Sequence, residues 1–267
     1  MSRPLLLRIL SAAALVPVAI VSAWAGGLWF AAVVGFFGVV MAWEWARLCA
    51  RTDILDAAGA VTVGTVGAAA AAFAMAEPEL SLALVAIGAG IVLVLRPEGR
   101  SAWLWPTGTA YIALAVLAVL HLRGGDEETP WPVFWLFAVV WATDTAAYAA
   151  GRAIGGPLLA PALSPKKTWA GLLGGMAAAG IAGALLLWAF GAPAPLTGSV
   201  LGAALALISQ GGDLAESAAK RYFGVKDAGG LIPGHGGALD RLDGFMAAAL
   251  ALVALNMVIG EDVLGWQ

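Results

Sequence analysis

Charge is scarce in this chain: Asp, Glu, Lys and Arg make up 12% of its 267 residues, against 61% hydrophobic ones. Soluble globular chains carry about 25% charged residues. A water-soluble fold would have to hide apolar surface on the order of hundreds of Å² in leucine and tryptophan, which excludes a soluble domain. Cysteine is nearly absent as well. Cys49 stands alone, so no internal disulfide is possible and thiol usage does not reveal the redox compartment. Neither a Walker-type phosphate loop nor a strand–GxGxxG–helix unit is present. Without a G-x-S-x-G elbow, the His235-Gly236-Gly237 stretch does not make a serine hydrolase. No internal repeat stands out, and the longest hydrophilic piece is too short to be a separate domain.

What is abundant is apolar sequence in membrane-length runs. A spanning helix needs about 20 predominantly apolar residues. Nine candidate segments satisfy or approach this: 9–25, 27–43, 57–75, 80–95, 102–121, 131–150, 169–190, 196–212 and 244–260. Their many Ala and Gly residues suit close helix packing, since lipid supplies no hydrophobic drive between helices. The end of the first run, Ala23-Trp24-Ala25, also fits a signal-peptide cleavage pattern, which is the lesser reading.

Nine alternating crossings with a cytoplasmic amino terminus sort the charges by sign. The inside connections then hold Arg3, Arg8, Arg47, Arg51, Arg96, Arg100, Arg152, Lys166, Lys167, Lys220, Arg221, Lys226 and Arg241, all the Lys and Arg except Arg123. The outside ones hold Glu77, Glu79, Asp126, Glu127, Glu128, Glu261 and Asp262. Cytoplasmic loops are enriched in Lys and Arg, so the pattern supports both count and orientation. The expected fold is therefore all-α: a polytopic integral membrane bundle of about nine helices. Residues 1–130 supply the amino-terminal helices, and 131–267 carry the chemistry within one continuous membrane domain. The carboxyl terminus falls outside.

One stretch breaks the apolar pattern. Residues 213–243 gather Asp213, Glu216, Ser217, Lys220, Arg221, Lys226, Asp227, His235, Asp240, Arg241 and Asp243 around many glycines and Pro233. The run from Asp213 to Tyr222 lacks Gly and Pro and extends the eighth helix. Asp213, Glu216, Ser217 and Lys220 then share one face at i, i+3, i+4 and i+7. That face fits either a cation or phosphate site, or a simple Glu216–Lys220 surface pair worth tenths of a kcal/mol. Residues 224–237 read as a loop, and Gly-rich backbone can turn its N–H groups toward an anion. A basic juxtamembrane cluster for anionic lipid would explain the lysines, but not the four carboxylates Asp213, Asp227, Asp240 and Asp243. Mixed cations and carboxylates suit metal-assisted phosphoryl or nucleotidyl transfer. Asp240 and Asp243 begin the last helix. A lone loop His235 is more often bonded to backbone than functional, and a phosphate nucleophile needs no general base. In the sixth helix Asp144, Tyr148 and Arg152 share a face. An intramembrane aspartate is a functional candidate by default, or else an interfacial partner of Arg152. Glu44 and Arg47 read as a helix-end pair anchored by neighbouring tryptophans.

The stretch Lys226–Asp243 (KDAGGLIPGHGGALDRLD) resembles the signature of the phosphatidate cytidylyltransferases, the CDP-diacylglycerol synthases. Ser164–Trp169 (SPKKTW) and Asp144–Gly151 (DTAAYAAG) are similar to two further motifs of that family, so the likeness spans the second half of the chain. The resemblance implies a membrane enzyme that joins CTP and phosphatidic acid into CDP-diacylglycerol and pyrophosphate. It implies Mg²⁺ held by Asp213 and Asp240, to which the i, i+3 spacing of Asp240 and Asp243 adds Asp243, with a second, monovalent cation such as K⁺. It assigns catalytic positions to Asp213, Ser217, Lys220, Arg221, Lys226, Asp227, His235, Asp240, Arg241 and Asp243. Substrate contacts fall on Asp144, Ser164, Lys166, Lys167 and Thr168. A homodimer in the bacterial inner membrane, with a cytoplasm-facing site and no nucleic-acid partner, completes the expectation. Ala170 stands where the family commonly has Glu or Gln, and Gly244 where it has Ser. Two rivals remain: the same transfer onto an isoprenoid-ether or polyprenyl phosphate, and a membrane transporter, whose charges would spread over several helices.

Overall fold

The computed structural model describes residues 3–52, 55–95, 102–124, 129–191, 195–232, 234 and 236–265. They form nine α-helices and one small sheet: α1 Arg3–Ala25, α2 Gly27–Ala50, α3 Ala57–Ala74, α4 Pro78–Leu95, α5 Leu104–Arg123, α6 Trp131–Ile154, β1 Leu158–Ala160, β2 Ser164–Thr168, α7 Trp169–Ala189, α8 Pro195–Tyr222 and α9 Leu239–Ile259. Seven of the helices, α2 to α7 and α9, are long and apolar enough to cross a membrane. In α1 the apolar stretch is Ile9–Ala25. This is an integral membrane helix protein.

Each helix lies over one of the nine apolar runs of the sequence, with one extension that the sequence predicts and one difference. The eighth run continues as one helix to Tyr222, through the charged stretch Asp213–Arg221. The segment after the sixth run is not loop throughout. Helix α6 extends to Ile154, and the following Gly and Pro residues lead into an antiparallel hairpin in which Leu158 faces Thr168 and Ala160 faces Ser164. Periodicity gave no warning of strands only 3 and 5 residues long.

The chain divides into two compact units, Met1–Asp126 with Tyr222–Leu242, and Glu127–Arg221 with Asp243–Gln267. In the first, small residues let helices approach. A Cβ on Gly38 of α2 would lie 2.6 Å from a Val116 methyl of α5, and one on Gly108 of α5 would run into the Trp45 indole of α2. Thr62 and Thr109 share a buried hydrogen bond of 3.0 Å between α3 and α5. Arg123, only 3% exposed, donates from Nε to the Ala23 carbonyl at 2.6 Å and from Nη2 to that of Trp24 at 3.4 Å. These are carbonyls that the end of α1 leaves without helical partners.

The second unit is organised on α7. Its Gly171, Gly174 and Gly175 lie against Ala147, Ala150 and Thr143 of α6, while Gly180 and Gly183 lie against Ser199 and Gly198 of α8. Backbones thus meet on both sides of one helix, as expected where packing rather than hydrophobic exclusion joins helices. The Trp135 indole N–H of α6 locks this arrangement by donating to the Gly183 carbonyl at 3.0 Å. Helices α8 and α9 meet as closely: a Cβ on Gly212 would lie 2.9 Å from the Asp243 carbonyl, and one on Gly244 would lie 2.5 Å from Ser209 Oγ. This gives Gly244 a steric reason.

Candidate functional site

In the second unit, β2 and the charged end of α8 bring opposite charges together. Thr168 ends β2 and starts α7: its side-chain oxygen accepts the Gly171 N–H at 3.0 Å, satisfying one amide that a helix start leaves over. That cap fixes the end of the hairpin. Lys167 is next to it, and its Nζ lies 2.6 Å from Asp213 Oδ2. Ser217, one turn further along α8, donates to Asp213 Oδ1 at a long 3.4 Å. Another residue round, Glu216 is buried and pairs with Lys220. The Asp243 carboxylate accepts the Gly244 N–H at 2.7 Å and lies within electrostatic reach of Asp213, Lys220 and Lys167. The expected face of α8 therefore exists, and α9 and β2 complete it with one carboxylate and one ammonium.

Around this cluster the remaining predicted residues are more open. Ser164 is half-buried at the start of β2, and Lys166 beside Lys167 is exposed. Arg221 is exposed at the end of α8. Asp144 is exposed on α6. The hydroxyl of Tyr148, one turn beyond it, accepts from Arg152 Nη1, a further turn on, at 3.2 Å, so the shared face does hold polar contacts.

In the first unit, the Gly-rich segment 224–238 forms a loop closed by reciprocal backbone bonds between Ile232 and Gly236, at 2.9 and 3.1 Å. Lys226 and Asp227 are exposed at its entrance, as is Arg241 at its exit. Asp240 sits in the first turn of α9 and turns back on the loop. Its carboxylate accepts the Ala228 N–H at 3.0 Å and the Gly237 N–H at 2.9 Å. His235 lies outside the described residues.

Glu44 does something the sequence reading missed. Instead of standing at the interface with Arg47, it is fully buried and accepts the N–H groups of Ala238 at 3.1 Å and Leu239 at 2.8 Å, the start of α9. Arg47 lies over the Trp43 ring at 4.4 Å. The available signal was a lone carboxylate in an α2 whose one other charge is Arg47. Glu216 was visible on the helix face but has no place in the motif.

The donor set of the second unit fits a hard divalent cation. Asp213 and Asp243 offer carboxylate oxygens of the kind that holds Mg²⁺ through a few direct ligands while substrate phosphates complete its shell. Ammonium groups from Lys167 and Lys220 stand beside them, cations of the kind that pair with phosphate. Among the described residues no group of three or more His, Cys, Asp or Glu gathers at one point. This arrangement suits anionic substrates that bring oxygens of their own.

Comparison with known proteins gives a consistent result along the whole chain. Residues 6–259 match the family described as the cytidylyltransferase family. A phosphatidate cytidylyltransferase from Brucella suis is 38% identical over 274 residues, covering 95% of this chain and 94% of that protein. Another, from Pseudomonas aeruginosa, is 37% identical over 274 residues, covering 95% and 97%. One from Rickettsia bellii is 38% identical over 147 residues, covering 52% of this chain and 64% of the relative.

Proposed function

The chain belongs to the cytidylyltransferase family, and from that premise we propose that it transfers the cytidylyl group of CTP to phosphatidic acid. The products are CDP-diacylglycerol and pyrophosphate, made for phospholipid synthesis. The observation that carries this reading is likeness over 95% of the chain to relatives of that name, spanning 94–97% of their length. The paired charges of β2, α8 and α9 support it.

In this reaction a phosphate oxygen of phosphatidic acid attacks the α-phosphorus of CTP. One P–O bond forms there as the bond to the bridging oxygen of the pyrophosphate breaks. The lipid phosphate is already anionic at neutral pH, so no side chain has to remove a proton. What the protein must supply is alignment and positive charge on the transferring group. In this reading Lys166, Lys167 and Lys220 would hold phosphate oxygens, and Arg221, Lys226 and Arg241 would be further phosphate-pairing cations. Of the three aspartates expected at the metal, Asp213 and Asp243 would hold Mg²⁺, which when bound supplies further charge stabilisation on those oxygens, while Asp240 accepts the Ala228 and Gly237 amides. Lys167 already engages Asp213, so the ammonium and the metal-binding carboxylate are positioned by each other.

We further assign the protein to the bacterial inner membrane with the site facing the cytoplasm, where CTP is present. The Lys and Arg sorting supports that orientation. A homodimer and a supporting K⁺ ion are part of the same proposal.

The decisive experiment uses purified protein in micelles containing phosphatidic acid and CTP labelled at the α-phosphorus. Label should enter the lipid fraction. Chelation with EDTA should abolish the transfer and added Mg²⁺ restore it. Label entering only polyprenyl phosphate would replace the acceptor, and no transfer to any lipid phosphate by folded protein would overturn the reading.

A further inference from the structure

A fully buried glutamate in an apolar membrane helix is costly unless its charge is met by hydrogen bonds. Glu44 has 0% exposure. Its two oxygens are taken by consecutive amides, Oε1 by Ala238 and Oε2 by Leu239, residues 194 and 195 positions along the chain. These amides open α9, where Ala238 has no side-chain oxygen to cap its own helix. A side-chain oxygen at position 238 would accept the amides of residues 240 or 241, not those of Ala238 and Leu239. These two need an acceptor from elsewhere in the chain, and Glu44 supplies it.

The loop itself shows what else it does. A Cβ on Gly237 would lie 2.7 Å from both Glu44 oxygens, and one on Gly229 would collide with the same carboxylate. Glu44 thus touches both ends of the stretch 229–237. Asp240 repeats the pattern beside it, accepting Ala228 N–H from one end and Gly237 N–H from the other. Two carboxylates hold the two ends of one loop together, and the Ile232–Gly236 bridge closes the tip.

The geometry points to Glu44 as a positioning residue: with Asp240 it clamps both ends of the Gly-rich loop and so sets where that loop presents its backbone to the nucleotide phosphates. This rests on the cytidylyl-transfer reading. Fully buried and bonded to loop and helix amides, Glu44 acts through the loop. Its amide replacement has one acceptor oxygen and turns an NH₂ group toward the second backbone N–H, so Glu44→Gln opens one half of the clamp at nearly constant volume.

The test compares wild type, Glu44→Gln and Glu44→Ala in detergent micelles by three readings: thermal midpoint, hydrogen–deuterium exchange, and label transfer from CTP with rates per folded molecule. Glu44→Gln should unfold near the wild-type midpoint and exchange faster within 224–239 but not in α3 or α5. Its kcat should fall about 10- to 100-fold, as misplacement of a positioning element by about 1 Å does, with the KM for phosphatidic acid within about twofold of wild type. If Glu44→Ala does not fold, Glu44→Gln decides alone. A kcat within about twofold of wild type per folded molecule, whatever the midpoint, makes Glu44 a helix cap only and overturns the inference, as does unchanged exchange across 224–239. Wild type that transfers no label sinks the cytidylyl reading itself, and the positioning role with it.

Discussion

At the scale of single residues, several buried or half-buried charges of this protein hold another group in place. Lys167 is held by Asp213, Lys220 by Glu216, and the start of α9 by Glu44. Asp213 is the most informative of these to change. Its side chain is 36% exposed and touches the half-buried Lys167 and Ser217, and with the carboxylate this open to water the pair contributes on the order of 1 kcal/mol to stability. Asp213→Asn should therefore leave the thermal midpoint almost where it was. Transfer of label from CTP to lipid should nevertheless fall by about 10²- to 10³-fold, the loss typical of removing one preorganised charge-stabilising group. A variant with wild-type turnover would remove Asp213 from the metal and phosphate machinery. A variant that fails to insert or fold would show that the Lys167 contact is structural.

At the scale of elements, glycine decides which helices touch. Gly183 of α7 lies so close to α8 that a Cβ would strike the Gly198 carbonyl, whereas a Cβ on Gly64 of α3 or Gly90 of α4 meets nothing within 4 Å. Gly183→Ala should lower the thermal midpoint, because overpacking costs about 1–3 kcal/mol. By contrast Gly64→Ala should be neutral or raise it, since alanine gains up to about 1 kcal/mol of helix propensity. Equal effects at the two sites, followed by unfolding in the same micelles, would contradict the crossing described here. The sequence could announce these helices but not their contacts. Apolar runs of membrane length mark every helix, and the unbroken stretch from Asp213 to Tyr222 announces the extension of α8, because both follow from local chain properties. The hairpin Leu158–Thr168 is too short to impose a period. The burial of Glu44 depends on amides almost 200 residues away, of which no window around Trp43–Trp45 carries a trace. Thr168 illustrates the middle ground: its motif was legible, while its work as the cap of α7 emerged only from the bond to Gly171.

For the whole molecule, the distribution of cations is an argument about orientation that one residue complicates. Arg123 is the single Lys or Arg outside the expected cytoplasmic connections, yet it is not a loop charge at all. It is buried at the end of α5 with its guanidinium on the last carbonyls of α1. A cation spent on a helix end is favourable there and stays out of the loops whose charge the orientation rule counts. The remaining Lys and Arg then argue for one orientation without exception. Labelling tests it directly, because replacing Cys49 with Ala leaves a chain free of cysteine. On that background Lys226→Cys and Glu261→Cys place a thiol at exposed positions on either side of α9. A membrane-impermeant maleimide applied to intact cells should reach Glu261→Cys at once and Lys226→Cys only after permeabilisation. The reverse pattern would put the Gly-rich loop outside, away from CTP, and would remove the proposed reaction. Labelling of both from one side would mean that α9, apolar as it is, does not cross.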